Sequence, residues 1–235
     1  MYLQLTRNID QFIRHQLDQY TFIPREKQKK VRPVITISRE FGCEGFPVAK
    51  LLSEHLKNKD GNEWLIYNRK LIDEVTEVEE FDKELLESLS EQQRSQVDQY
   101  VDHVLAHKPS NYSLYKEMAT SIKALAEQGN CIIVGSGAAI LTSDHSHALH
   151  IRLKASLNFR VERIKHALSL SREEALKVTQ EKDDSRYEMV QTFTQQNVND
   201  PGFYDIIIDN ERFSAEQIVD LIETALQHRI PDWLK

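Results

Sequence analysis

Apolar positions at Leu3, Leu5, Ile9, Phe12, Ile13 and Leu17 recur at helical spacing, so the chain is read as opening with an amphipathic helix. A basic linker, Arg25-Glu-Lys-Gln-Lys-Lys-Val-Arg32, follows and ends at Pro33. From there short β-branched runs alternate with helical periodicity. Strands are predicted at Val34–Ser38, Trp64–Tyr67, Cys131–Val134, Ala148–Leu153 and Tyr204–Asp209, with a closing helix over Ala215–Gln227 before Pro231. Alternation of this kind implies a parallel sheet covered by helices on both faces. Between the second and third strands lies an acidic helical insertion, about 74–128, and between the fourth and fifth a charged helical stretch, about 158–199. The expected organisation is an N-terminal helical extension and linker over 1–32, then one α/β domain over 33–235.

The first strand runs Val34-Ile-Thr-Ile-Ser-Arg39 and breaks into Glu40-Phe-Gly-Cys-Glu-Gly-Phe-Pro47 before an amphipathic helix. Strand, glycine loop and helix N-terminus together can present backbone N–H groups to a phosphate. The loop lacks the lysine and the Ser/Thr of the G-x-x-x-x-G-K-[ST] pattern, so a plain strand-to-helix turn stands beside the phosphate-loop reading. Cys131-Ile-Ile-Val-Gly-Ser-Gly-Ala-Ala-Ile140 is a second strand running into glycines. As a dinucleotide turn it fits poorly, since Ile140 occupies the third glycine position and the next strand, His150–Lys154, ends without a ribose-binding acid. A strand-end turn lining a ligand crevice fits better, and a structural turn remains open. Arg160, Arg163 and Lys165 cluster on one predicted helix, with Asp183-Asp-Ser-Arg186 on the next. Guanidinium groups suit phosphate oxygens, whereas a solvated helix face with i,i+4 pairs is the plain alternative.

The net charge of -7 disfavours a general nucleic-acid binder but leaves room for a local cationic pocket. Two cysteines, Cys43 and Cys131, cannot make a disulfide framework, and a reduced cytoplasmic protein is expected. No apolar run approaches membrane-spanning length, and the N-terminus lacks the apolar core of a signal peptide. His103 and His107 stand one helical turn apart without an evident third ligand, so no protein metal site is expected. Asp144, His145 and His147 have no serine in a nucleophile elbow to serve and are read as loop residues.

Taken in order, five segments resemble the cytidylate-kinase-like family of P-loop proteins. They are Ile35-Thr-Ile-Ser-Arg-Glu-Phe-Gly-Cys-Glu-Gly45, Ile66-Tyr-Asn-Arg-Lys-Leu-Ile72, Cys131–Ala138, Asp183-Asp-Ser-Arg186 and Asn199-Asp-Pro-Gly-Phe-Tyr-Asp-Ile-Ile-Ile-Asp209. The resemblance implies a nucleoside monophosphate kinase-like P-loop fold with a five-stranded parallel sheet. It implies strands in the order second, third, first, fourth, fifth, and ligands over their carboxyl ends. By the same resemblance Arg39, Gly42, Cys43, Glu44, Gly45 and Phe46 hold the donor phosphates, with Lys50 nearby. Asn68, Arg69 and Ser136 lie at the acceptor phosphate, and Asp183 faces the acceptor ribose or base. Arg160 and Arg163 belong to a closing lid, and Arg186 meets the phosphates. ATP or another nucleoside triphosphate and Mg2+ are the implied cofactors, and phosphoryl transfer is the implied chemistry.

The chain departs from the family pattern at chosen points. The loop reads Gly42-Cys-Glu-Gly-Phe46 where members often carry Gly-Ser-Gly-Gly-Arg. Asn68 stands for Asp and Ser136 for Arg. Glu44 places a carboxylate in an anion cradle and Phe46 removes a cation, so weak turnover of CMP is expected. Two functions follow as expectations: phosphoryl transfer to a nucleoside monophosphate or another small acceptor, and, as the alternative, a nucleotide sensor or interaction protein that keeps the fold. The N-terminal helix is the expected surface for a homodimer or a partner.

Overall fold

A computed structural model describes residues 31–68, 91–92, 94–97 and 112–234. The expected N-terminal helix, most of the acidic insertion, Arg69, His103 and His107 lie outside the described residues. The elements are β1 (Val34–Arg39), α1 (Gly45–Asp60), β2 (Leu65–Tyr67), α2 (Tyr112–Gln128), β3 (Cys131–Val134), α3 (Ala138–Leu141), β4 (Ala148–Lys154), α4 (Leu157–Leu168), α5 (Arg172–Thr194), β5 (Ile206–Asp209) and α6 (Ala215–Arg229).

The five strands form one parallel sheet in the order β2-β3-β1-β4-β5, as the sequence predicts. β1 is central, its backbone paired with β3 from Val34 opposite Cys131 and with β4 from Val34 opposite Ala148. Strands buried on both faces read as continuous β-branched runs, which is why this pattern was visible. β5 starts at Ile206 instead of Tyr204 because Pro201–Phe203 forms a 3-10 turn, with Asp200 accepting the Gly202 N–H at 2.8 Å.

Successive residues of β1 point to opposite layers. Ile35 and Ile37 pack with Val48, Ala49, Leu52 and Leu56 of α1 and with Ile218 and Ile222 of α6. Trp64 and Trp233 close that layer edge to face, with ring centroids 6.1 Å apart. Val34 faces the other layer, packed with Leu125 of α2 and Ala138 and Leu141 of α3. The next two β1 residues on that face are Thr36 and Ser38, fully buried and opposite His150 and Arg152 of β4. A polar strip therefore runs between β1 and β4 toward the carboxyl edge of the sheet.

Local signals set the helix boundaries. α1 stops at Gly61, whose φ of 72° is left-handed. Ser156 caps α4, and α5 and α6 each begin with a reciprocal capping box, Ser171 with Glu174 and Ser214 with Gln217. Among the described residues, no helix is long and apolar enough to cross a membrane.

Candidate functional site

β1 delivers Arg39 to the carboxyl edge of the sheet, and Glu40–Glu44 turns the chain into α1. Gly42 has φ 93°, and a Cβ there would lie 2.9 Å from Cβ of Arg160, so both conformation and space call for glycine. A Cβ on Gly45 would approach the Arg39 side chain to 3.0 Å.

Four of the loop's N–H groups are committed internally. Asp183 Oδ1 accepts the Phe41 N–H at 2.8 Å and Asn210 Oδ1 accepts that of Glu44 at 2.7 Å. The Cys43 N–H goes to the Glu40 carbonyl and that of Gly45 to the Cys43 carbonyl. In this conformation the loop does not present these four donors to a ligand. The expected anion cradle would have to release Asp183 and Asn210 first. Cys43 is no nucleophile: burial, reinforced by Glu40, pushes its thiol up to about 12. Phe46 borders a groove of about 300 Å3 along the loop, whereas Lys50 is exposed on α1 and does not line it.

Two of the three predicted lid and phosphate arginines are held by carboxylates. Arg160 donates to the carbonyls of Phe41 at 3.0 Å and Ala155 at 3.2 Å, and pairs with Asp183 at 2.5 Å and Glu40 at 3.4 Å. Arg163 pairs with Glu44. Asp183, expected toward the acceptor, here pins the loop to α4 and α5. Arg186 differs: it donates to the Arg39 carbonyl at 3.2 Å and stacks 5.3 Å over the Phe41 ring, with no ion pair among the described residues.

Between the loop and α5 lies a cleft of about 210 Å3 containing Arg39, Arg152 and Arg186. None of the three has a carboxylate partner among the described residues. Burial, together with repulsion from Arg186, lowers the Arg39 guanidinium to about 9, and burial lowers Arg186 in the same direction. Such shifts mark cations short of counter-charge in a medium that poorly solvates them. Asp183 offsets the shift at Arg186 only in part: it and Glu40 are paired with Arg160, and Asp184 is exposed.

Arg152 is only 6% exposed and was not singled out from sequence. Its guanidinium donates to Ser38 Oγ at 3.0 Å, the Tyr204 hydroxyl at 3.3 Å and Asn199 Oδ1 at 2.5 Å. Tyr204 in turn donates to the Val198 carbonyl at 2.7 Å. The available sequence signal was alternation: Thr36 and Ser38 in β1, and His150 and Arg152 in β4, interrupt runs that are otherwise apolar.

A second cavity, about 120 Å3, adjoins the first through Arg39, Ser136 and Arg186. Its walls are Tyr67, Met118, Ile122 and Met189, with the buried polar residues Asn68 and Ser136 at the ends of β2 and β3. The predicted acceptor residues Asn68 and Ser136 thus share one pocket. Asp144 pairs with Lys123 at 2.5 Å, in keeping with a loop role for it and its histidine neighbours. Among the described residues, no three His, Cys, Asp or Glu side chains cluster to hold a metal.

The chain can be set beside known proteins. It is 25% identical over 202 residues to the cytidylate kinase of Pyrococcus horikoshii, covering 86% of this chain and 92% of that one. It is 31% identical over 100 residues to a uronate isomerase of Corynebacterium glutamicum, a match that takes in 43% of this chain but spans only 19% of that protein. The crystal structure of an uncharacterized protein from Eubacterium ventriosum superposes with a TM-score of 0.61 at 22% identity, over 84% of this chain and 99% of that one, a likeness of fold. Residues 34–212 match the cytidylate kinase-like family, and they include β1, the glycine loop, all three cleft arginines and β5. The chain belongs to the cytidylate kinase-like family.

Proposed function

We propose that this chain is a P-loop-type phosphotransferase that moves a phosphoryl group from ATP or another nucleoside triphosphate to a nucleoside monophosphate or another small acceptor. One observation carries the reading: Arg39, Arg152 and Arg186 share a cleft without carboxylate partners among the described residues, at the carboxyl edge of a parallel sheet. Ligands of open α/β sheets bind at that edge, beside the central strand where the strand order reverses. Arg39 and Arg186 also border both neighbouring cavities. A phosphoryl group passing from a donor along the loop to an acceptor beside Asn68 and Ser136 would cross between them.

Phosphoryl transfer asks for in-line positioning, cationic charge and exclusion of water. In the proposed reaction Arg39 stands in for the lysine missing from the loop, and Arg186 meets the same oxygens. Arg160 and Arg163 exchange Asp183 and Glu44 for phosphate as α4 and α5 close, which frees the Phe41 N–H for the donor. Asn68, Ser136 and Arg69 orient the acceptor. Mg2+ is held in such sites chiefly by substrate phosphates and one or two carboxylates, and Asp184, a cleft carboxylate without an ion pair among the described residues, fits that role. When bound, the ion neutralises charge on the donor phosphates.

The sensor reading has an observation of its own. Glu44 stands in the loop and four loop N–H groups are already bonded, so a nucleotide could bind at the arginines without turning over. Titration with ATP and GTP, with and without Mg2+, followed by an acceptor screen that includes CMP, separates the two. Mg2+-dependent product on any acceptor supports the kinase. Nucleotide binding without product across the screen supports the sensor.

A further inference from the structure

The pocket beside the arginine cleft differs in character from the cleft itself. Its volume of about 120 Å3 lies between the sheet and two helices. Tyr67 of β2 and Ile133 of β3 form one side, and Met118 and Ile122 of α2 with Met189 of α5 form the other. Past Met118 and Met189 it continues into a narrower apolar gap beside the stacked rings of Tyr115 and Phe193. Methionine side chains are unbranched and polarizable, so these two can follow an irregular hydrocarbon surface. The polar side chains are few and neutral: Asn68 and Ser136, each 7% exposed, and the exposed Ser185. Among the described residues the pocket's cations are Arg39 and Arg186, and both also line the cleft, as does Ser136. Those three mark the mouth. The side chains beyond them are aliphatic, thioether or aromatic, with the Asn68 amide as the polar exception.

We infer that this pocket takes the body of the acceptor, and that it selects a small alcohol with an apolar skeleton, one ring or a short branched chain, over a nucleoside monophosphate. The transfer step rests on the phosphotransferase reading; the apolar-alcohol site does not. Size is the first reason. An apolar cavity of about 150 Å3 takes up one benzene, so this pocket suits a single ring, whereas a ribose and a base together exceed it. Chemistry is the second. A ribose and a base edge bring several donors and acceptors, and each one buried against Met118 or Ile122 without a partner forfeits its hydration. One hydroxyl at the mouth can meet Ser136, and one polar substituent can meet Asn68, whose amide both donates and accepts. In the step, the acceptor's hydroxyl oxygen bonds to the terminal phosphorus of the nucleoside triphosphate. The bond from that phosphorus to its bridging oxygen breaks, and the electron pair leaves with the nucleoside diphosphate. The hydroxyl proton moves to an oxygen of the transferred group and from there to water.

The test uses benzyl alcohol, cyclohexylmethanol and 3-methylbutan-1-ol as probes, with glycerol and CMP beside them. Each is titrated into the whole purified chain by ligand-observed NMR, and phosphorylation by ATP and Mg2+ is followed by phosphorus NMR. At least one apolar alcohol is expected to bind about tenfold or more tighter than glycerol, and to be phosphorylated faster than CMP. Met118→Trp fills the pocket from α2 and is expected to weaken that alcohol by about tenfold or more. ATP affinity should change by less than about threefold, since Met118 lines neither the cleft nor the loop groove. Should Met118→Trp fail to fold, Met189→Gln places an amide in the opposite wall, and alcohol affinity is then expected to fall at least about threefold. Binding of none of the three alcohols, or binding unchanged in a folded variant, overturns the inference. Faster turnover of CMP than of every alcohol overturns the selectivity, and binding of alcohol and ATP without product overturns the acceptor role. Met118-dependent alcohol binding in a chain that binds no ATP sustains the pocket and removes the phosphotransferase reading instead.

Discussion

Arg160 offers the sharpest separation between a structural brace and a transition-state cation. Its side chain makes two hydrogen bonds to carbonyls and two ion pairs, and only 9% of it is exposed. Replacing it with Met keeps the apolar stem and strands Asp183 and Glu40 without their cation. Breaking a fully buried pair costs about 3–5 kcal/mol, and each lost hydrogen bond about 1 kcal/mol. Asp183 is 29% exposed and recovers hydration, so about 2–4 kcal/mol is the expected loss of stability. For a chain of this size that lowers Tm by about 4–16 °C. Thermal unfolding by circular dichroism reads it, and Asp183→Asn completes a double-mutant cycle with an expected coupling above about 1 kcal/mol. A Tm within about 1 °C of wild type would refute the brace and return Arg160 to a purely catalytic role.

Further expectations concern charge and protonation. Glu44→Gln removes a carboxylate from the loop and releases Arg163, so ATP should bind about three- to tenfold more tightly; unchanged or weaker binding in an ATP titration contradicts the repulsion argument. His150 is buried, with Nδ1 2.9 Å from Thr36 Oγ1 and with Asp205, Arg229 and the Thr142 backbone nearby, and burial lowers its pKa. Its folded value lies below its unfolded value, so the unfolded chain binds the extra proton and stability falls as pH drops below about 6.5. Denaturant midpoints measured from pH 7.5 to 5 should show that slope reduced in His150→Gln, and an equal slope in both proteins would exclude His150 as its source. The Cys43 thiol, raised to about 12, should react with iodoacetamide at pH 8 about a thousandfold more slowly in the folded chain than in denaturant, as followed by mass spectrometry.

Much of the fold was legible because the sheet is parallel and buried. Runs such as Val34–Ile37 and Cys131–Val134 carry no solvent face, and the glycines or prolines beside them end the strands. The entry to β5 was less clear, since Pro201-Gly-Phe203 makes a 3-10 turn that composition alone does not separate from a strand start. At the candidate site, Arg39, Asn68 and Ser136 entered through the family resemblance, and the structure puts them at or just past strand ends, which a parallel sheet brings to one edge. Arg152 was not, because its partners Ser38, Asn199 and Tyr204 reach it only through strand register and a later loop. Arg160 and Arg163 carried the right chemistry for phosphate, but a sequence pattern cannot say whether a guanidinium faces an empty cleft or a neighbouring carboxylate. The same holds for Asp183, whose two oxygens go to the loop backbone and to Arg160.

The central claim is that cations short of counter-charge at the end of β1 receive nucleotide phosphates. ATP affinity, measured by calorimetry with Mg2+ for wild type and for Arg39→Met, tests it most directly. Loss of a phosphate-directed guanidinium should weaken binding by about tenfold or more without lowering Tm, since Arg39 makes no ion pair among the described residues. Equal ATP affinity in the two proteins would contradict the account.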